Sequence, residues 1–487
     1  MKKISTPLFC VLFVAGIAFS QFANAQTTTS TNQTNQFERG PSGMIRCATP
    51  PPPPEWDAWF NAQVEEFKKG LETGKMTVTN YTIPVVIHVI YGTEAVGTYP
   101  NLSQAQLNSQ IVVLNQDYSG TGYNTSTYPA TAYTHWATAQ ALPAANKDAN
   151  GRVAIANTGI QFCLATKDPN GVTLPEPGID RVSYTAKGWS NPNSASYNST
   201  TTFMNYIDGT IKPGTIWNPA KYLNMWVTDE NTSVGLLGYA TFPAGTTLSG
   251  ISGPGTSTTD GFWAVANAFG SKNICASGTY DPTYCYGRTC THEIGHYLGL
   301  RHTWGDGTCL TDYCNDTPTE TAANYANCPQ VYPFHSGTCT SPSNSPDGEM
   351  TMNFMDYTND ACMYMFTVDQ TSRIQTCMQT GTYRTGLNAS AALLCTTGIL
   401  ENNLSNNISI YPNPSSGDIF MNVNSTTISS ADITIFNAIG DIVLQKRVPI
   451  SSGSAVKFEM INHPDGMYLI QMKTAEGTIT KKVILNR

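Results

Sequence analysis

Three of the chain's seven histidines fall within the eleven residues HEIGHYLGLRH, from His292 to His302, with Glu293 and Gly299 between them. At helical pitch His292 and His296 lie one turn apart on one face, so both imidazoles can reach a single tetrahedral ion. Glu293 directly follows the first histidine, where a carboxylate can take a proton from a water activated at that ion. Gly299 has no Cβ and can turn the chain sharply, which lets His302 swing back as a third ligand and leaves a fourth position open. A bare HExxH recurs in unrelated amphipathic helices. The extended spacing does not, and it separates this site from zinc sites that take their third ligand from a distant glutamate. The pattern predicts a zinc hydrolase.

The first residues have the form of a signal peptide spanning 1–25. Lys2 and Lys3 precede an apolar run from Pro7 to Phe19, followed by Ala23-Asn24-Ala25 as a small-residue cleavage site. The run is too short to span a bilayer and no later stretch reaches eighteen apolar residues, so a soluble mature chain without a transmembrane segment is expected. At 487 residues, two or three folded units are expected. Charged residues make up only 12% of the chain, the net charge is -8, and no basic stripe suggests nucleic acid. Of the thirteen cysteines, Cys10 leaves with the signal, and most of the others lie between Cys275 and Cys395. That density suggests disulfides formed in an oxidising compartment. For Cys163 and Cys290 a disulfide and a buried thiol are both open.

Residues 26–79 read as a separate leader. A Thr-, Asn- and Gln-rich stretch to about residue 40 is expected to be disordered. Arg46-Cys47-Ala48-Thr49 and a stiff spacer, Pro50 to Pro54, come next. Trp56, Phe60, Val64, Phe67 and Leu71 then recur at helical spacing and require a partner surface. The run Thr82 to Gly92 predicts a buried strand in which His88 packs and does not ligate. A helix from Leu102 to Asn115 and strands at Ile160 to Ala165 and Tyr222 to Val227 complete a mixed α/β domain over 80–398, its sheet packed on two helices. Residues 402–487 lack cysteine and alternate in short strands, with turns at Ser416-Gly417, Ile439-Gly440-Asp441 and Asp465-Gly466, as in a small all-β sandwich.

HEIGHYLGLRH followed by NFMDYTNDACMYMF resembles the metzincin peptidases. RTCTHEIGHYLGLRHTWGDG, YLNMWVTDENTSVGLLGYATFPAG and NDTP narrow the resemblance to small bacterial and archaeal members of the pappalysin family. The resemblance implies an α+β endopeptidase fold with an upper and a lower subdomain, acting on protein or peptide substrates. It implies zinc on His292, His296 and His302, general-base action by Glu293, a methionine floor at Met355 and oxyanion stabilisation by Tyr357. It also implies that Asp360 selects Arg or Lys at P1', and that Asp312 and Thr317 hold calcium, with Asp316 either a further ligand or a turn residue. It suggests the pairs Cys309–Cys339 and Cys328–Cys362. Cys275 and Cys285 could close a local loop, while partners for Cys163, Cys290 and Cys314 stay unassigned. Cys47 is expected to act as a zymogen switch, its thiolate taking the open zinc position, with an ordinary disulfide as the other reading. The tail, through YPNP, FNAIG, GMY and KKVILNR, resembles a type IX secretion sorting domain, and implies export from a Gram-negative periplasm through that machinery. The competing expectation is an adhesion or binding protein on an inactive peptidase fold.

Overall fold

A computed structural model describes residues 37–243, 255–325, 332, 339, 347–395, 408–423, 430–438, 440–450, 455–474 and 477–487. The expected signal peptide, most of the Thr-rich stretch and Cys328 lie outside the described residues.

The sheet of the larger domain comprises β1 (Tyr81–Tyr91), β2 (Ile160–Leu164), β3 (Ile179–Ser183), β4 (Leu223–Thr228), β5 (Gly238–Ala240) and β6 (Phe262–Val265). Its order is β2-β1-β4-β6-β5, with β3 also pairing β1. All pairings are parallel except that of β5, which runs antiparallel to β6 at the edge. Parallel strands are covered on both faces and so read as continuous apolar runs, which is why Ile83 to Ile90 of β1 are buried without alternation. His88 is buried among them. Its Nδ1 bonds Asp180 at 2.8 Å, its Nε2 bonds Asn224 at 2.9 Å, and its ring stacks on Trp226, so it packs as expected.

The helices, in chain order, are α1 (Pro54–Glu72), α2 (Gln104–Tyr118), and the short α3 (Thr134–Ala139), α4 (Tyr184–Lys187), α5 (Thr200–Tyr206) and α6 (Lys212–Thr215). They are followed by α7 (Arg288–Tyr297), α8 (Val368–Thr380) and α9 (Leu387–Leu394). Leu107, Ile111 and Leu114 of α2 and Ile294 and Tyr297 of α7 share one core with the sheet, so α2 and α7 are the two expected covering helices. The spacer is one residue shorter than expected. Pro54 opens α1, because the first helical position needs no N–H and suits a fixed φ.

Beyond residue 407, β7 (Ile408–Tyr411), β8 (Asp418–Val423) and β11 (Ala455–Glu459) form one antiparallel sheet. β9 (Ser430–Asn437), β10 (Ile442–Pro449), β12 (Gly466–Thr474) and β13 (Gly477–Leu485) form a second. Ile419 and Met421 of the first sheet and Ile433, Ile435 and Ile470 of the second share a single apolar core, as in a sandwich. Among the described residues no helix is long and apolar enough to cross a membrane.

Candidate metal centre and cleft

Helix α7 presents His292, Glu293 and His296 from one buried segment and ends at Tyr297. Gly299 then adopts φ +89, where a Cβ would also meet the Phe60 ring at 2.9 Å, and the reversed chain brings His302 back. The Nε2 of His296 lies 3.1 Å from that of His292 and 3.0 Å from that of His302. Each opposite nitrogen is held: His292 Nδ1 by the Phe354 carbonyl at 2.7 Å, His296 Nδ1 by the Leu300 carbonyl at 2.8 Å, and His302 Nδ1 by the Asp306 carboxylate. Protons held on Nδ1 leave three Nε2 lone pairs converging on one point. Burial, reinforced by their mutual proximity, pushes His292 and His296 well below the usual imidazole range, toward the neutral form that ligates a metal. The Cys47 sulfur joins them, and the four ligating atoms lie within 4.8 Å of one another. Three imidazole nitrogens and a sulfur are donors that fit tetrahedral zinc. Among the described residues no other group of three or more His, Cys, Asp or Glu side chains gathers in this way.

Met355 lies under the cluster. A Cβ on Gly295 would fall inside contact distance of its sulfur, so the glycine lets the methionine turn close against α7. Gly295→Ala is expected to destabilise the protein by about 1–3 kcal/mol through overpacking, read as a lower Tm with zinc bound. The Tyr357 hydroxyl is 3.1 Å from His302 Nε2 and 3.5 Å from the Cys47 carbonyl. Glu293 is fully buried, and burial pushes its carboxyl up to about 8 against the hydrogen bonds it accepts. Its Oε2 accepts from Thr49 Oγ1 at 2.9 Å and from the Cys47 thiol at 3.4 Å. Opposite it stands Gly238 of β5, where a Cβ would come within 2.9 Å of the Glu293 side chain.

Asp360 lies beside this centre, also fully buried. Backbone N–H groups of Tyr286 and Arg288 donate to its Oδ2 at 2.9 and 3.1 Å, and the Arg46 guanidinium reaches its Oδ1 at 3.3 Å. Burial raises the Asp360 carboxyl and Arg46 opposes the rise. Arg46 is itself buried, bonded to Thr289 Oγ1 and seated over the Tyr284 ring at 5.0 Å. Residues 46–49 therefore run between the histidine cluster, through Cys47 and Thr49 on Glu293, and the buried Asp360 carboxylate, through Arg46.

Residues 205–379 match the family model described as pregnancy-associated plasma protein-A, and residues 409–486 match the secretion system C-terminal sorting domain. The chain is 33% identical to mature mirolysin of Tannerella forsythia, solved with a cleaved peptide, over 66% of this chain and 100% of that one, at a TM-score of 0.49. It is 31% identical to promirolysin of the same organism over 69% of this chain and 93% of that one, also at 0.49. Identity at that level across the full length of the relative decides the relationship. The chain belongs to the pappalysin family of metalloendopeptidases. An extracellular metalloprotease of Colletotrichum graminicola is 40% identical over 93 residues, which are 19% of this chain and 31% of the fungal protein, so the chain spans about a third of that curated relative.

Around this pappalysin centre several residues had no assigned role in the sequence. Asp306 orients His302 and also pairs with Arg301 at 2.6 Å; its position shortly after His302 was the available signal. Arg46 and Thr49 stand close to Cys47 in sequence, and an arginine beside the expected switch cysteine in a chain expected to favour basic P1' residues could have been found. Gly238 carried no such signal. At the expected calcium turn, Thr317 Oγ1 lies 2.8 and 2.9 Å from the two Asp312 oxygens and 2.8 Å from the Cys314 carbonyl, with one proton to share among them. Asp316 accepts from Asn146 and from the Asp369 N–H through one oxygen, while its other oxygen is buried without a hydrogen-bond partner among the described residues.

Cys309 pairs with Cys339 as the resemblance suggested, and Cys362 is disulfide-bonded. Cys163, left open by the sequence, pairs with Cys395. The loop closure between Cys275 and Cys285 is not formed, and both thiols are free and buried. Each sulfur turns to a partner within its own turn, Ser277 Oγ at 3.7 Å and the Pro282 carbonyl at 3.8 Å. Cys290 and Cys314 are likewise buried thiols.

Proposed function

We propose that the protein is a secreted zinc endopeptidase, made as a zymogen, that cleaves on the amino side of Arg or Lys. The observation that carries this reading is the seat of Arg46-Cys47, which sets a thiol among three imidazoles and a guanidinium on a buried carboxylate. A cleft that holds a leader arginine on Asp360 has the charge and depth for a substrate arginine once the leader has gone. The names promirolysin and mature mirolysin support a precursor and product pair in this family.

His292, His296 and His302 would hold zinc, which when bound supplies Lewis-acid chemistry that acidifies water and polarises a carbonyl. In the proposed reaction the oxygen of water bonds to the peptide carbonyl carbon and its proton passes to Glu293. Glu293 then gives that proton to the departing amide nitrogen as the C–N bond breaks. Tyr357 donates its hydroxyl to the oxyanion, and Met355 closes the centre from below. In the precursor none of this can proceed, since Cys47 and Thr49 occupy Glu293.

Direction explains why the leader is not itself cut there. In a substrate the Asp360-bound residue follows the scissile bond, whereas Arg46 precedes the residue at the metal centre, so the leader crosses the cleft in reverse. Ile45 accordingly pairs parallel to Leu236, just before the edge strand β5. Calcium is proposed at the buried turn of Asp312 and Thr317, where the Asp316 oxygen left unpartnered among the described residues offers a further hard ligand. The sorting domain supports export through type IX machinery with later loss of the tail. Intact Glu293 and three convergent histidines disfavour the inactive adhesion reading.

Cleavage-site profiling of a peptide library by the mature enzyme tests this function. Arg or Lys enrichment at P1' is expected, and a profile indifferent to basic residues there would reject the specificity. The zymogen is tested separately. The Cys47→Ala precursor should hydrolyse peptides without processing, and an inert Cys47→Ala precursor with zinc in place would end the switch reading.

A further inference from the structure

The inhibitory contacts lie on the extended arm 38–53, yet the leader buries its large side chains elsewhere. Trp56, Phe60, Val64 and Phe67 of α1 are each 2% exposed or less, and the first three pack against Phe242 and Cys377 of the larger domain. Trp56 Nε1 donates to the Pro243 carbonyl at 3.2 Å. Asp57 accepts from Arg301 in a buried ion pair, and Arg373 donates to Asn61 while its guanidinium sits 4.9 Å from the Phe60 ring centroid. Lys68 pairs with Asp369 at 3.0 Å. By contrast Thr73, Gly74 and Lys75, between α1 and β1, are all exposed. The hydrogen bonds of that turn run back to α1 itself, from the Lys75 and Met76 N–H groups to the Gly70 carbonyl. A cut at Gly74–Lys75 therefore breaks none of the contacts that seat α1 or the arm.

We infer that α1 is an anchor in its own right, docked on the surface formed by Phe242, Gly299, Arg301, Arg373 and Cys377, and that it retains the inhibitory arm after the chain is cut in the Thr73–Lys75 turn. This rests on the zymogen reading. Arm and anchor remain on one fragment, joined by the short proline spacer. Rebinding of the arm is then intramolecular, at an effective concentration of roughly millimolar. A single cut in the turn yields a two-piece latent enzyme. Activity requires loss of the anchor or separation of the arm from it.

Two full-length precursors test this, one with a recognition sequence for a site-specific endopeptidase inserted between Gly74 and Lys75, the other with it inserted between Thr49 and Pro50. After cutting, co-elution of the leader fragment in size exclusion and hydrolysis of a fluorogenic peptide are measured. The turn-cut protein should keep its fragment and stay at the activity of the uncut precursor, while the spacer-cut protein becomes active. Adding Trp56→Ala and Phe60→Ala to the turn-cut protein should release the fragment and raise activity to the spacer-cut level. A turn-cut wild-type protein that sheds its fragment and gains activity overturns the anchor. An active uncut precursor would instead refute the zymogen reading, and co-elution after the turn cut would still decide the anchor.

Discussion

Glu293→Ala in the mature enzyme should lower kcat/KM for peptide hydrolysis by roughly 10²–10⁴-fold while zinc content and Tm hold. The carboxylate lies on α7 between two proposed ligands, so no other acid can take its place without moving the helix. Its Oε1 is buried without a hydrogen-bond partner among the described residues, and its Oε2 is held by Cys47 and Thr49, which depart in the proposed maturation. A carboxyl buried with one oxygen unpartnered contributes little to stability, because burying an unsatisfied polar group is costly. Loss of the group should therefore cost rate and not fold. Metal analysis and a thermal melt beside the kinetics separate the two. Unchanged hydrolysis by a zinc-loaded, contaminant-free Glu293→Ala preparation would return the chain to the binding-protein reading.

Asp360→Asn should have the second largest effect, confined to one class of substrate. The side chain keeps its size and can still accept from the Tyr286 and Arg288 N–H groups, but it no longer balances a guanidinium. Removing one partner of a buried charge pair costs about 2–5 kcal/mol, a loss of roughly 30- to 4,000-fold at 1.4 kcal/mol per decade. That loss should appear in kcat/KM for peptides with Arg at P1', while peptides with an apolar P1' residue should be unaffected or improved. A uniform fall across both substrates would mean that Asp360 supports the loop and does not select. The same substitution should loosen Arg46 in the precursor, so faster maturation is a second expected readout.

The zinc centre was legible because its geometry is local: one helix and one glycine turn carry all three histidines within eleven residues. The apolar face of α1 was legible for the same reason, and its demand for a partner was met by Phe242 and Cys377, which no local pattern could name. What was not legible depends on contacts across the chain. Gly238 gains its meaning only from Glu293, far along the sequence, and Thr49 from both Glu293 and the Ala240 N–H of β5. Cysteine pairing was legible in part: Cys309–Cys339 formed as the resemblance suggested, and the rest depends on contacts across the chain. The loop that Cys275 and Cys285 could have closed stays open, whereas the unassigned Cys163 found its partner 232 residues away.

That distant pair bears on the proposed loss of the tail. Cys395 closes α9, and the Leu394 carbonyl just before it accepts from both the N–H and the hydroxyl of Thr166. Its disulfide to Cys163 rivets this end to β2, a strand of the larger domain's sheet. Trimming from the sorting domain inward thus meets a covalent stop at residue 395. If the tail is removed as proposed, the product should keep the same last helix, and reduction of that one bond would turn a clean terminus into a frayed one.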